Sequence, residues 1–123
     1  MGMKYKVSDI LEATSGLLLS GDQNVSFRAI STDSRTMEAG DIFVALKGRN
    51  YDGHDFAKAA LKKGAQGLLI NNEYWKGMKD DILSDKVVIA VSDTLKALGD
   101  IAKKRQKIIK EIVDEKNFLF RKK

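Results

Sequence analysis

A chain of 123 residues suits one domain of ordinary size, and 43% hydrophobic residues allow a modest core. With no cysteine, one histidine and no apolar run near the roughly 20 residues that span a bilayer, the composition excludes a disulfide framework, a cysteine or clustered-histidine metal site and a membrane helix. The net charge of +5 sits at one end: residues 103–123 hold nine Lys or Arg against three acids, the remainder thirteen against fourteen.

In chain order, Met1 to Lys6 lacks the apolar centre of a signal peptide, so a soluble, cytoplasmic chain is expected. Val7 to Ser15 predicts a short helix with Ser8 as N-cap and Gly16 as its stop. Leu17-Leu18-Leu19 is apolar but short, and Ser20-Gly21-Asp22 reads as a turn. Val25, Phe27 and Ala29 alternate with Ser26 and Arg28 as in a half-buried strand. Ile42 to Leu46 is a continuous apolar run, the pattern of an interior strand. Phe56 to Lys63 has helical spacing and ends at Gly64.

Gly67 to Ile70 and Val87 to Val91 read as two further buried strands. Glu73 to Asp85 between them is polar, a loop or a helical excursion, with Trp75 and Met78 as packing points. From Asp93, apolar residues at Leu95, Leu98, Ile101, Ala102, Ile108, Ile109, Ile112 and Val113 describe one long amphipathic helix, capped by Ser92 or Asp93. Strands alternating with helices predict a small single-domain α/β fold: one sheet, flanking helices and a long C-terminal helix. In the basic tail lysines and glutamates mix, with no aromatic before Phe118 and Phe120, as on a solvated helix face. Nucleic acid is therefore not the expected partner.

The segment from Ser31 to Phe56 gathers hydroxyls, charges and glycines around the apolar run at Ile42. Ser31, Thr32 and Ser34 offer hydroxyls, and Lys47-Gly48 sets a cation beside a flexible residue after a strand. Asp52-Gly53-His54-Asp55 leads into a helix, whose free amides favour an anion. Residue types and spacing support a ligand site at strand ends, without naming the ligand.

Three linked blocks, Ser31–Arg35, Gly40–Gly48 and Asp52–Phe56, followed by Val87–Ala102, resemble the N-terminal domain of the Mur ligases. The resemblance runs from about Val7 to Arg105. It implies a domain over 1–105, with 106–123 as a basic helical tail that departs from the family. It further implies that the domain holds the uridine-diphosphate end of a UDP-N-acetylmuramoyl-peptide. The substrate-binding candidates are Ser31, Thr32, Ser34, Arg35, Lys47, Gly48, Asp52, Gly53 and His54, with Asp33, Asp41, Phe43 and Phe56 structural.

The family's full reaction uses ATP and magnesium, through a Gly-Lys-Thr phosphate loop. No Gly-Lys pair occurs in this sequence, and Gly48 to Gly53 lacks the Lys-Ser/Thr ending. The expectation is thus a substrate-binding domain with no catalytic residue, metal or cofactor of its own.

Each candidate has a plainer reading. Arg35 either grips a phosphate or pins its loop by pairing with Asp33 or Asp41. Lys47 is a phosphate ligand or a solvated strand-end lysine. His54 contacts ligand or backbone at a helix start, since no nucleophile accompanies it. Asp52 and Asp55 suit turn and cap roles, and Gly48 and Gly53 suit conformational ones. Trp75 reads as core or loop anchor. The apolar far end of the last helix would suit self-association or a protein partner, which makes a non-catalytic adaptor the alternative function.

Overall fold

A computed structural model describes residues 4–78 and 85–121, with side chains defined at 4–76, 85–108 and 110. The elements follow in order: β1 (Tyr5–Lys6), α1 (Val7–Thr14), β2 (Leu17–Ser20), β3 (Ser26–Phe27), β4 (Ile30–Ser31) and β5 (Ile42–Val44). A 3₁₀ turn (Gly53–Phe56) leads into α2 (Ala57–Lys62), then β6 (Gly67–Asn71), α3 (Asn72–Met78), β7 (Val87–Val91) and α4 (Thr94–Arg121).

A five-stranded sheet runs β2-β7-β6-β5-β4, parallel except for β2, which pairs antiparallel with β7. The apolar runs at 42, 67 and 87 form its three middle strands, buried on both faces as their composition predicts. Period-two alternation divides the core between those faces. Ile42, Val44, Leu69, Val87, Ile89 and Val91 pack with α1 and α4 residues such as Val7, Ile10, Ala97 and Ile101. Phe43, Ala45, Leu68, Ile70, Val88 and Ala90 pack with Ala57 and Ala60 of α2, with Tyr74 and Trp75 of α3 partly buried there.

Several local expectations are corrected. The helix at Val7 is capped by Lys6, without a side-chain bond, and not by Ser8. Carbonyls of the following loop do that work, Val25 O accepting from Val7 N and Gln23 O from Ser8 N. The left-handed residue that ends α1 is Ser15 (φ 57°), and Gly16 is needed instead for close packing. A Cβ there would stand 2.9 Å from Ile89 Cγ2. Leu17–Ser20 proves to be a strand.

The single strand expected over Val25–Ala29 is split. β3 pairs with β1 in a separate two-stranded sheet, while β4 forms the far edge of the main sheet. Between them Arg28 turns to Asp41 at 2.9 Å and Glu38 at 3.1 Å. The ring of Phe27 then fills the core, where Gly67 makes room for it: a Cβ on Gly67 would lie 2.8 Å from the ring. β5 ends at Val44 and not Leu46, although Ala45 N still donates to Leu69 O.

Gly64 stops α2 with φ +103°, as expected. Asp93, one of the two cap candidates, accepts from the amides of Leu95 and Lys96 at 3.0 and 3.1 Å. The helix it opens passes residues 105–106 unbroken. Side chains of Met78, Ile109, Ile112, Val113, Phe118, Leu119 and Phe120 lie outside the described set, as do residues 79–84 of the segment read as loop or helix.

Candidate functional site

All four parallel strands point their carboxyl ends the same way, so the loops after β4, β5 and β6 and the head of α4 share one edge. Open α/β sheets hold ligands at such an edge. Here it carries a cleft of about 750 Å³, lined by Thr32, Asp33, Ser34, Arg35, Leu46, Lys47, Gly48, Tyr51, Phe56 and Leu95. Five of the nine binding candidates therefore meet in one place, while Ser31, Asp52, Gly53 and His54 do not line it.

The polar wall is the loop after β4. Ser31 Oγ donates to Asp33 O at 3.0 Å and so shapes the loop. Arg35 lies bidentate on Asp33, Nε to Oδ1 at 3.1 Å and Nη2 to Oδ2 at 2.9 Å, in full solvent view. Hydrogen bonds from the Arg35 side chain and amide hold the Asp33 carboxyl down at about 2, and Asp33 in turn raises Arg35 above its ordinary value. Asp41, the other possible partner, is buried and belongs to Arg28. Lys63, unmarked by the sequence reading, donates Nζ to the carbonyls of Ser34 (2.9 Å) and Arg35 (3.3 Å), tying this loop to the end of α2.

The second wall is a small hairpin. Gly48 N donates to Tyr51 O at 2.7 Å, and Lys47 and Asp52 pair across its base. Gly53 N donates to Leu46 O at 2.7 Å, and a Cβ on Gly53 would lie 2.7 Å from Leu46 N. Gly53 is thus a steric requirement of the hairpin. Gly48 is not one: the nearest atom to its Cβ position is 3.9 Å away, and its φ is not positive.

His54, expected to contact ligand or backbone at a helix start, is an interior residue that contacts backbone. It is 3% exposed, with Nδ1 2.6 Å from Asp52 Oδ1 and Nε2 accepting from Asn71 N at 3.0 Å. Asp52 likewise turns inward: burial pushes its carboxyl up, but hydrogen bonds from the His54 ring and amide outweigh that and leave it low.

The sequence reading missed the apolar part of the cleft. Tyr51 and Phe56 stack with ring centroids 5.5 Å apart and planes at 17°. Phe56, expected to be structural, is 40% exposed, and Leu95 at the head of α4 is 66% exposed. An aromatic on each side of Asp52–Asp55 was the available signal. Phe43, also expected to be structural, is fully buried. The cleft therefore sets an exposed lysine, a paired arginine and hydroxyls against an aromatic and aliphatic patch. That suits a ligand with an anionic part and a flat apolar part.

A family model described as "Mur ligase family, catalytic domain" matches residues 26–106. The chain is 36% identical over 98 residues to the UDP-N-acetylmuramoyl-tripeptide--D-alanyl-D-alanine ligase of Haemophilus influenzae, covering 80% of this chain and 19% of that one. It is 30% identical over 96 residues to the UDP-N-acetylmuramoyl-L-alanyl-D-glutamate--2,6-diaminopimelate ligase of Bacteroides thetaiotaomicron, covering 78% and 19%. A crystal structure of MurF from Acinetobacter baumannii superposes with a TM-score of 0.65 at 28% identity, covering 80% of this chain and 20% of that one. The chain spans about a fifth of the length of these relatives.

Proposed function

This chain belongs to the Mur ligase family, and we propose that its cleft holds the uridine-diphosphate end of a UDP-N-acetylmuramoyl-peptide during cytoplasmic peptidoglycan synthesis. The observation that carries this reading is the composition of the cleft walls. Lys47, Arg35 and the hydroxyls of Thr32 and Ser34 suit a diphosphate, while Tyr51, Phe56 and Leu95 suit a base and sugar. The volume of about 750 Å³ lies in the range of small-molecule sites.

The reading favours the ligase that adds D-alanyl-D-alanine. Its support is the 36% identity to the Haemophilus influenzae enzyme and the blocks Ala45–Gly48 and Asp93–Leu98, which look most like that enzyme. A second reading, the ligase that adds the third amino acid, is favoured by the diaminopimelate ligase match.

The proposal assigns no ATP or magnesium site to these residues. The sequence has no Gly-Lys pair, and among the described residues no three His, Asp or Glu side chains gather as ligands. The proposal for these 123 residues is therefore confined to substrate binding.

An amide-resolved NMR titration with UDP and then UDP-N-acetylmuramoyl-tripeptide tests this. Shifts centred on Thr32–Arg35, Leu46–Gly48, Tyr51, Phe56 and Leu95 are expected. No shifts at millimolar ligand would overturn the reading for this chain and favour an adaptor role.

A further inference from the structure

His54 is the only histidine in a chain without cysteine, and it is buried with both ring nitrogens engaged. Its partners define its tautomer. Asn71 N–H donates to Nε2, so that nitrogen carries the lone pair and Nδ1 carries the proton, which it gives to Asp52 Oδ1. Asp52 closes the base of the hairpin that presents Lys47 and Tyr51 to the cleft.

The other end of the bridge is firmly held. Asn71 ends β6, and its Oδ1 accepts from Thr94 N at 3.1 Å, while Thr94 Oγ1 donates to Ala45 O at 2.6 Å. A chain of hydrogen bonds thus joins the hairpin to β6, α4 and β5.

We propose that His54 is a positioning residue: as the neutral Nδ1–H tautomer it latches the Lys47–Asp52 hairpin to β6, and protonation at Nε2 releases the hairpin and weakens binding in the cleft. The binding part of this inference rests on the cleft reading given above. A proton on Nε2 would face the Asn71 N–H, setting donor against donor at a separation of 3.0 Å.

The groups facing the ring are few. Asp52 comes from its own turn, Tyr74 from α3 with ring centroids 4.6 Å apart, and Asn71 from β6 through its amide, while Lys47 acts on Asp52 from beyond. Asp52, held below its ordinary value by the His54 hydrogen bonds, stays ionised as the ring takes up its proton.

The test uses the full chain and a UDP-sugar, which lacks the terminal phosphate monoester that itself titrates near pH ~6. Ring nitrogen shifts of His54 and the affinity for the UDP-sugar are followed together as the pH is lowered from neutral until the ring protonates or the amide spectrum collapses, and collapse with the ring still neutral overturns the proposal. The expected result is a protonated Nδ1 and bare Nε2 at the upper end, with affinity falling about tenfold in step with ring protonation. H54N is expected to bind weakly with no pH dependence.

A proton found on Nε2 at neutral pH overturns the proposal, as does affinity that stays constant while the ring protonates. So does H54N, folded by its amide spectrum, with the wild-type profile. If the UDP-sugar binds at no pH, the nucleotide reading fails instead. The latch is then decided by the Lys47–Tyr51 amides, which follow ring protonation if it exists and stay fixed if it does not.

Discussion

The hydroxyl of Thr94, first residue of α4, donates to the carbonyl of Ala45 across 2.6 Å in the buried interior, although 49 residues separate them in sequence. Ala45 lies just beyond β5, so this one bond fixes the head of α4, and with it Leu95, against the strand that leads into the cleft hairpin. Thr94→Val keeps the shape but strands the carbonyl. It is expected to cost about 1–3 kcal/mol in a urea melt with the m-value unchanged. An unchanged midpoint would show that water replaces the hydroxyl.

The two glycines of the hairpin should behave in opposite ways. Gly53→Ala forces a methyl to within 2.7 Å of Leu46 N and 2.9 Å of Leu46 O, backbone that cannot yield cheaply. A loss of at least about 2 kcal/mol is expected. Gly48→Ala meets nothing closer than 3.9 Å and should stay within about 0.5 kcal/mol of wild type. Comparing the thermal midpoints of the two variants checks both statements.

Tyr51 and Lys47 project into the cleft from exposed positions, so their side chains matter for binding and little for folding. Tyr51→Ala and Lys47→Met are each expected to weaken UDP affinity about three- to tenfold by calorimetry. Stability should change by less than about 0.5 kcal/mol. UDP affinity equal to wild type in both would move the ligand elsewhere.

The Asp33–Arg35 pair gives a prediction in acid. With its carboxyl held at about 2, Asp33 contributes to loop order above its ordinary unfolded value, and that contribution is lost as pH falls toward about 2. Because the pair is exposed, the effect is on the loop and not on global stability. In Arg35→Gln, which keeps the residue-35 amide bond, the Asp33 carboxyl should rise part of the way toward its ordinary ~4, measured by carbon-detected NMR. A titration point that stays low would assign the shift to the loop's own amides.

Much of the fold was legible because it depends on neighbours in sequence. Continuous apolar runs at 42–44, 67–70 and 87–91 set strands with two buried faces, Gly64 supplied a left-handed stop, and Asp93 offered its carboxylate to amides two and three residues on. Where local rules misled, a distant backbone had intervened. Lys6 needs no capping side chain because Val25 and Gln23 carbonyls cover the first turn of α1. The strand expected at Val25–Ala29 broke where Arg28 found Asp41 and Glu38.

By itself the sequence determined the α/β class, the three middle strands and the concentration of ligand-type residues between Ser31 and Phe56. These follow from periodicity and from residue types a few positions apart. Only the tertiary structure decided which of those residues face one another. It gave Arg35 to Asp33 and Asp41 to Arg28, and it turned His54 inward onto Asn71 while leaving Tyr51, Phe56 and Leu95 in the cleft. The physical reason is that hydrogen bonds and ion pairs act over about 3 Å. Which groups come that close is set by how β5, β6 and α4 pack, and spacing along the chain does not encode it.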